Sequence, residues 1–233
     1  MASEPLNIGG ITPLTTIDYP GELATVVYCQ GCPWRCRYCH NGHLLARDAV
    51  SDTDWAAALD LLARRRGLLD AVVFSGGEPT LQRGLASAIA QVRNMGFKVG
   101  LHTAGCYPER LRAILPSVDW IGLDIKALPS DYAALTGVPG SGERAFESLQ
   151  LLTGSGVPYE VRVTVHETLL PAPGLQRLLT ALDDYGVADV VLQPCRTGQV
   201  LDPALEVNGP AWREGGRRSA LQWRRDEASA ANG

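Results

Sequence analysis

Six short runs of apolar, largely β-branched residues punctuate the chain: Leu23 to Cys29, Ala71 to Ser75, Phe97 to Thr103, Trp120 to Asp124, Tyr159 to Val165, and Val190 to Gln193. Each is close to continuously apolar, the pattern of a strand covered on both faces in a parallel sheet. Helical periodicity fills the intervals. In Asp54 to Arg66, Trp55, Ala58, Leu59 and Leu62 share one face, and in Leu81 to Met95, Leu85, Ile89 and Val92 do so, with Gly96 as the stop. Ser148 to Thr153 and Gly174 to Tyr185 supply the later crossovers. The repetition predicts an α/β fold, a partial (β/α)6 barrel with parallel strands, in one domain over residues 1–208. In such a fold the reactive residues follow the carboxyl ends of the strands, here from Gln30, Gly76, Ala104, Ile125, His166 and Pro194 onward. Past Asn208 the chain turns to Gly, Ala, Ser and Arg. Arg213, Arg217, Arg218, Arg224 and Arg225 there outnumber Glu214, Asp226 and Glu227, and a poorly ordered tail is expected over 209–233.

Composition narrows the function. With 233 residues, 45% hydrophobic and 20% charged, the chain has an ordinary globular mix. A formal charge of −4 gives no electrostatic reason to bind nucleic acid or an anionic membrane. The first residues lack the basic start and apolar run of a secretory signal, and no apolar stretch is long enough to span a bilayer, so a cytoplasmic protein is expected. Six cysteines in a reducing compartment then point to metal binding or redox chemistry.

Four of the six fall in Cys29-Gln-Gly-Cys-Pro-Trp-Arg-Cys-Arg-Tyr-Cys-His-Asn41, which leaves the first predicted strand. Cys32, Cys36 and Cys39 form C-x3-C-x2-C, a loop spacing that lets three thiolates meet at one centre and suits irons that each want a soft ligand. Four irons and three thiolates leave one coordination position open, as in catalytic metal sites. The competing reading is a structural zinc site on Cys29, Cys32, Cys36 and Cys39, or with His40 in place of one of them. Such sites usually draw two ligand pairs from farther apart. Cys29, inside the strand, reads as a packed neighbour.

With Tyr38 before the last cysteine the loop becomes C-x3-C-x-aromatic-C, and from Thr16 to Cys195 the chain resembles the radical S-adenosylmethionine superfamily. The resemblance implies one [4Fe–4S] cluster on Cys32, Cys36 and Cys39, with S-adenosylmethionine chelating the open iron and Tyr38 packed near its adenine. Ser75-Gly-Gly-Glu-Pro-Thr80 is by itself a tight turn with Pro79 opening a helix. Within the family Gly76, Gly77 and Glu78 receive the methionyl ammonium. Asp124-Ile-Lys126 places an acid and a base on one face of a strand end. By itself that is an ion pair; in the superfamily it marks the activases of glycyl-radical enzymes, beside the cofactor and the entry for the glycyl loop. Asp18-Tyr-Pro-Gly21, Gln30-Gly-Cys32 and Cys39-His-Asn41 resemble the same activases, which adds His40 to the cofactor contacts. One departure is His102-Thr-Ala-Gly105, where these activases often carry Asp-Thr-Asn-Gly. Thr103 is retained, a cation site there loses its carboxylate, and His102 reads as a satisfied core histidine. Arg162 matches a cofactor-facing arginine by strand position, and His166 ends the same strand. Cys106 and Cys195 form no second ferredoxin-like run, so a single cluster is expected.

The implied activity is reductive cleavage of S-adenosylmethionine to a 5′-deoxyadenosyl radical that takes a hydrogen from a glycine of a partner enzyme. The likeness is greatest to the activases of anaerobic ribonucleoside-triphosphate reductase, with those of pyruvate formate-lyase as near relatives. A flavodoxin or ferredoxin-like protein would be the reductant. The rivals are a small-molecule radical enzyme such as one making 7-carboxy-7-deazaguanine, and a non-catalytic zinc or iron–sulfur interaction module.

Overall fold

The computed structural model describes residues 4–187, 190–205 and 218–219. Eight strands form one sheet in chain order: β1 (Ile8–Thr15), β2 (Ala24–Cys29), β3 (Ala71–Gly76), β4 (Lys98–Thr103), β5 (Trp120–Asp124), β6 (Tyr159–Val165), β7 (Val190–Pro194) and β8 (Arg218–Ser219). The pairs from β2 to β7 are parallel, and β1 and β8 add antiparallel edges. The six predicted runs are these six parallel strands. Five helical crossovers join them: α1 (Trp55–Ala63), α2 (Leu85–Asn94), α3 (Pro108–Ile114), α4 (Tyr132–Thr136) with α5 (Ser141–Thr153), and α6 (Ala172–Asp184). The result is a (β/α)6 unit left open at its edges. The tail expected past Asn208 lies outside the described residues, apart from Arg218–Ser219, which pair with β7.

Local chemistry explains the helix ends. The Asp54 carboxylate caps α1 by accepting from Ala57 N at 2.8 Å. Past α2, Gly96 turns the chain at φ 92°, a left-handed conformation that side-chain-bearing residues avoid.

Strand alternation sorts the side chains into two layers. Val27, Cys29, Val72 and Phe74 join the large core under the helices, whereas Ala24, Val26, Ala71, Val73 and Trp120 pack with Tyr19 in a smaller cluster on the opposite face. Farther along that second face, toward the carboxyl ends, the lining becomes polar: Tyr28, Ser75, His102, Asp124, Arg162, Thr164 and Gln193. The register puts several of them side by side, as Tyr28↔Ser75, Asp124↔Arg162 and Thr164↔Gln193. An apolar floor thus carries a polar site above it. Among the described residues no helix is long and apolar enough to cross a membrane.

Candidate active site

A cavity of about 880 Å³ lies at the carboxyl ends of the parallel strands. Every site residue expected from the sequence lines it except Glu78: Cys32, Cys36, Tyr38, Cys39, His40, Gly76, Gly77, Thr103, Asp124, Lys126 and Arg162. Asp18 of the Asp18-Tyr-Pro-Gly21 motif and Cys195 and Arg196 after the last parallel strand join the wall, as does Trp34, which had not been anticipated.

The cysteine loop is held from three sides. Gly31 N donates to Leu44 O at 2.8 Å, and Gln30 Nε2 donates to His43 O at 3.0 Å and Ala46 O at 2.7 Å, which closes the loop on itself. Arg35 N and Arg37 N donate to Thr136 O and Leu135 O at the end of α4. On the remaining side the segment after β7 crosses the loop: Leu201 N donates to Cys39 O at 3.0 Å, Asp202 N to Arg37 O at 2.9 Å, and Arg37 Nε meets Asp202 Oδ2 at 2.7 Å. Between the cysteines, Cys39 N donates to Cys36 O at 2.9 Å.

Burial pushes the Cys32 thiol up to about 12, with the Glu78 carboxylate adding to the effect, and raises Cys36 against the opposing pull of Lys126. Both are thiols at neutral pH, and capture of a metal ion would displace their protons. No disulfide joins any of the six cysteines. Among the described residues no three His, Cys, Asp or Glu side chains are gathered into a metal-binding group as they stand. The donor set nevertheless fits an iron–sulfur centre: three soft ligands on one cavity wall, next to an unmet hydrogen-bond donor. Trp34 Nε1 and Tyr38 Oη, both in this loop, are the buried side-chain polar atoms without a hydrogen-bond partner among the described residues. A buried donor left unmade costs about 1–3 kcal/mol, so the pair marks a place built for a polar group.

Beside the loop, Arg162 Nε donates to Asp124 Oδ1 at 2.9 Å and Lys126 Nζ lies 3.7 Å from Asp124 Oδ2. Burial disfavours the Asp124 carboxylate, but Arg162 and then Lys126 outweigh it and hold the group below its usual range. Burial likewise works against the Lys126 ammonium, yet Tyr38 and Asp124 keep it charged, and it sits 5.4 Å from the Tyr38 ring centroid. Two cations share one carboxylate, which leaves the wall suited to an anionic group.

Two glycines make this possible by their size. At Gly77 a Cβ would stand 2.3 Å from Gly31 O, so only glycine lets the turn after β3 press against the cysteine loop. At Gly122 a Cβ would stand 2.8 Å from Arg162 Cζ. Gly122→Ala is therefore expected to push the guanidinium off Asp124 and cost about 1–3 kcal/mol, read by thermal unfolding; an unchanged melting temperature would mean the arginine has room to spare.

Glu78 is the exception, its carboxylate turned to neighbouring backbone amides and hydroxyls. It is fully buried and accepts from Thr80 N at 3.0 Å, Thr80 Oγ1 at 2.5 Å, Thr103 Oγ1 at 2.7 Å and Ala104 N at 2.9 Å. The carboxylate ties the end of β3 to the end of β4. Thr103, though on the cavity wall, spends its hydroxyl on that bond. His166 is also buried away from the cavity, its Nδ1 accepting from Thr168 N at 3.2 Å. His102 is the satisfied histidine expected, with Nε2 bonded to Asp18 O at 2.8 Å and Nδ1 to Ser75 Oγ at 3.3 Å. Cys29 is fully buried beneath the loop, its carbonyl accepting from Gly77 N at 2.9 Å.

Comparison with known proteins adds a family and a fold. The sequence profile of the radical SAM superfamily matches residues 26–184. A protein of Methanocaldococcus jannaschii assigned as a glycyl-radical enzyme activating enzyme is 27% identical over 76% of this chain and 75% of its own. The pyruvate formate-lyase-activating enzyme of Clostridium pasteurianum is 32% identical over 70% of this chain and 69% of its own. Among solved structures, Streptococcus suis SuiB bound to S-adenosylmethionine superposes with a TM-score of 0.63 at 13% identity, over 89% of this chain and 46% of that one. That likeness concerns the fold alone, and the chain spans under half of SuiB.

Proposed function

We propose, for a chain that belongs to the radical SAM superfamily and whose relatives include glycyl-radical enzyme activating enzymes, the reductive cleavage of S-adenosylmethionine to place a glycyl radical on a partner enzyme, anaerobic ribonucleoside-triphosphate reductase. The observation that carries this reading is the single cavity that Cys32, Cys36 and Cys39 share with the Gly76–Gly77 turn and the Asp124, Lys126 and Arg162 group.

When bound on the three cysteines, a [4Fe–4S] cluster supplies the electron that splits the sulfonium into methionine and a 5′-deoxyadenosyl radical. The chain's own residues bind, orient and exclude. The Gly76–Gly77 turn brings backbone within reach of the methionyl end. Lys126 and Arg162, with one carboxylate between them, offer the surplus positive charge for the methionyl carboxylate. Tyr38, beneath the Lys126 ammonium, offers a flat apolar face to the adenine. Hydrogen transfer from a glycine Cα needs no general base, which accords with His102 and His166 being engaged internally. A flavodoxin or ferredoxin-like reductant would supply the electron in the cytoplasm.

A second reading, a pyruvate formate-lyase activase, is favoured by the name of the relative from Clostridium pasteurianum. Anaerobically reconstituted protein is expected to bind about four irons per chain and, with dithionite, to convert S-adenosylmethionine to 5′-deoxyadenosine. Mixed in turn with an anaerobic ribonucleotide reductase and with pyruvate formate-lyase, it should give a glycyl-radical doublet by electron paramagnetic resonance with the first. A doublet only with the second moves the assignment to the second reading, and iron loading without any cleavage overturns both.

A further inference from the structure

We propose that the indole N–H of Trp34 donates a hydrogen bond to a sulfur of the iron–sulfur centre held by Cys32, Cys36 and Cys39, and so raises that centre's reduction potential; the inference rests on the cluster reading above. Trp34 lies between Cys32 and Cys36 in sequence and lines the cavity with them. It is 1% exposed, so water does not satisfy its nitrogen, and the indole Nε1–H can only donate. Its nitrogen has no acceptor among the described residues. Trp55, buried elsewhere, shows the usual outcome, with Nε1 donating to Gln91 Oε1 at 3.2 Å.

The orientation of the Trp34 ring is set by its surroundings. It packs edge-on against Tyr132, with centroids 5.8 Å apart, and its backbone is flanked by the Arg35 N to Thr136 O bond at 2.8 Å. Tyr38 Oη, the other unmatched atom, has the Lys126 ammonium beside it. The acceptors that come with a centre on the flanking cysteines are thiolate and sulfide sulfurs. Reduction makes those sulfurs more electron-rich, so a donor aimed at them stabilises the reduced form more than the oxidised one. Such a bond would ease reduction of a cluster that must pass its electron to a sulfonium.

The test compares wild type with Trp34→Phe and with a chain carrying benzothienylalanine at position 34, which keeps the bicyclic shape and lacks the N–H. Each is reconstituted anaerobically, and iron content and midpoint potential are measured without S-adenosylmethionine. All three should carry the same iron. Both substituted chains should be about tenfold harder to reduce, equivalent to about 59 mV for one electron. An exchangeable-proton coupling to the reduced cluster that wild type shows in ordinary buffer and loses in deuterated buffer should be missing from both substituted chains. If Trp34→Phe loses iron through misfolding, the isosteric chain decides. Equal iron with equal potentials overturns the inference and leaves the cluster standing, whereas a wild type without iron removes the reading beneath it.

Discussion

Replacing Cys36 by alanine is expected to take iron loading from about four per chain to near zero and 5′-deoxyadenosine formation below detection. Three thiolates are the fewest that can hold a four-iron centre with one position open, and Cys36 is one of the three on the cavity wall. Cys29→Ala separates this outcome from a zinc site that would recruit the neighbouring thiol. Cys29 belongs to the core beneath the loop, so its loss should cost about 1 kcal/mol of stability and leave iron unchanged. Loss of metal in Cys29→Ala as well as in Cys36→Ala would favour the zinc site instead. Iron determination and thermal melts on the two variants suffice.

The second large effect concerns stability. Glu78→Ala removes the acceptor for Thr80 N and Ala104 N and for the hydroxyls of Thr80 and Thr103, at a side chain that is fully buried. The hydroxyls can rotate to other partners, but the two amides cannot. With a share for the cavity left behind, the cost is about 4 kcal/mol. For a chain of this size that lowers the melting temperature by roughly 10 °C. Glu78→Gln, which keeps the volume and one acceptor oxygen, should lose less. If Glu78→Ala melts with wild type, the carboxylate is not the tie between β3 and β4 that its bonds describe.

These two residues also show how far the sequence could be read. The parallel strands were legible because burial on both faces demands unbroken apolar runs, and Ala71 to Ser75 or Trp120 to Asp124 have few other uses. β1 was not, since Ile8–Thr15 carries Gly9, Gly10 and Pro13 and lies at an edge, where one side of the ladder needs no partner. α3 and α4 are too short to show periodicity. At the site, the motif-bearing residues came together as expected because each follows a strand end. The direction of Glu78 escaped, as a motif reports a position and not where the side chain points. Its partners Thr80 and Thr103 were the available clue, two hydroxyls at or just past the carboxyl ends of the adjacent strands β3 and β4. Trp34 and the crossing by Leu201 and Asp202 had no signal in spacing at all. One is an unmet donor visible only when its surroundings are known, and the other is a contact between residues 165 positions apart.

That crossing has a consequence for timing. The strands are added to the sheet in the order in which a ribosome would deliver them, each beside its predecessor, so most of the cysteine loop's supports exist once α4 has emerged. The last of them, at Leu201 and Asp202, arrives only after the last parallel strand, β7. Until then the loop around Cys39 lacks the third of its supports and is held from two sides only.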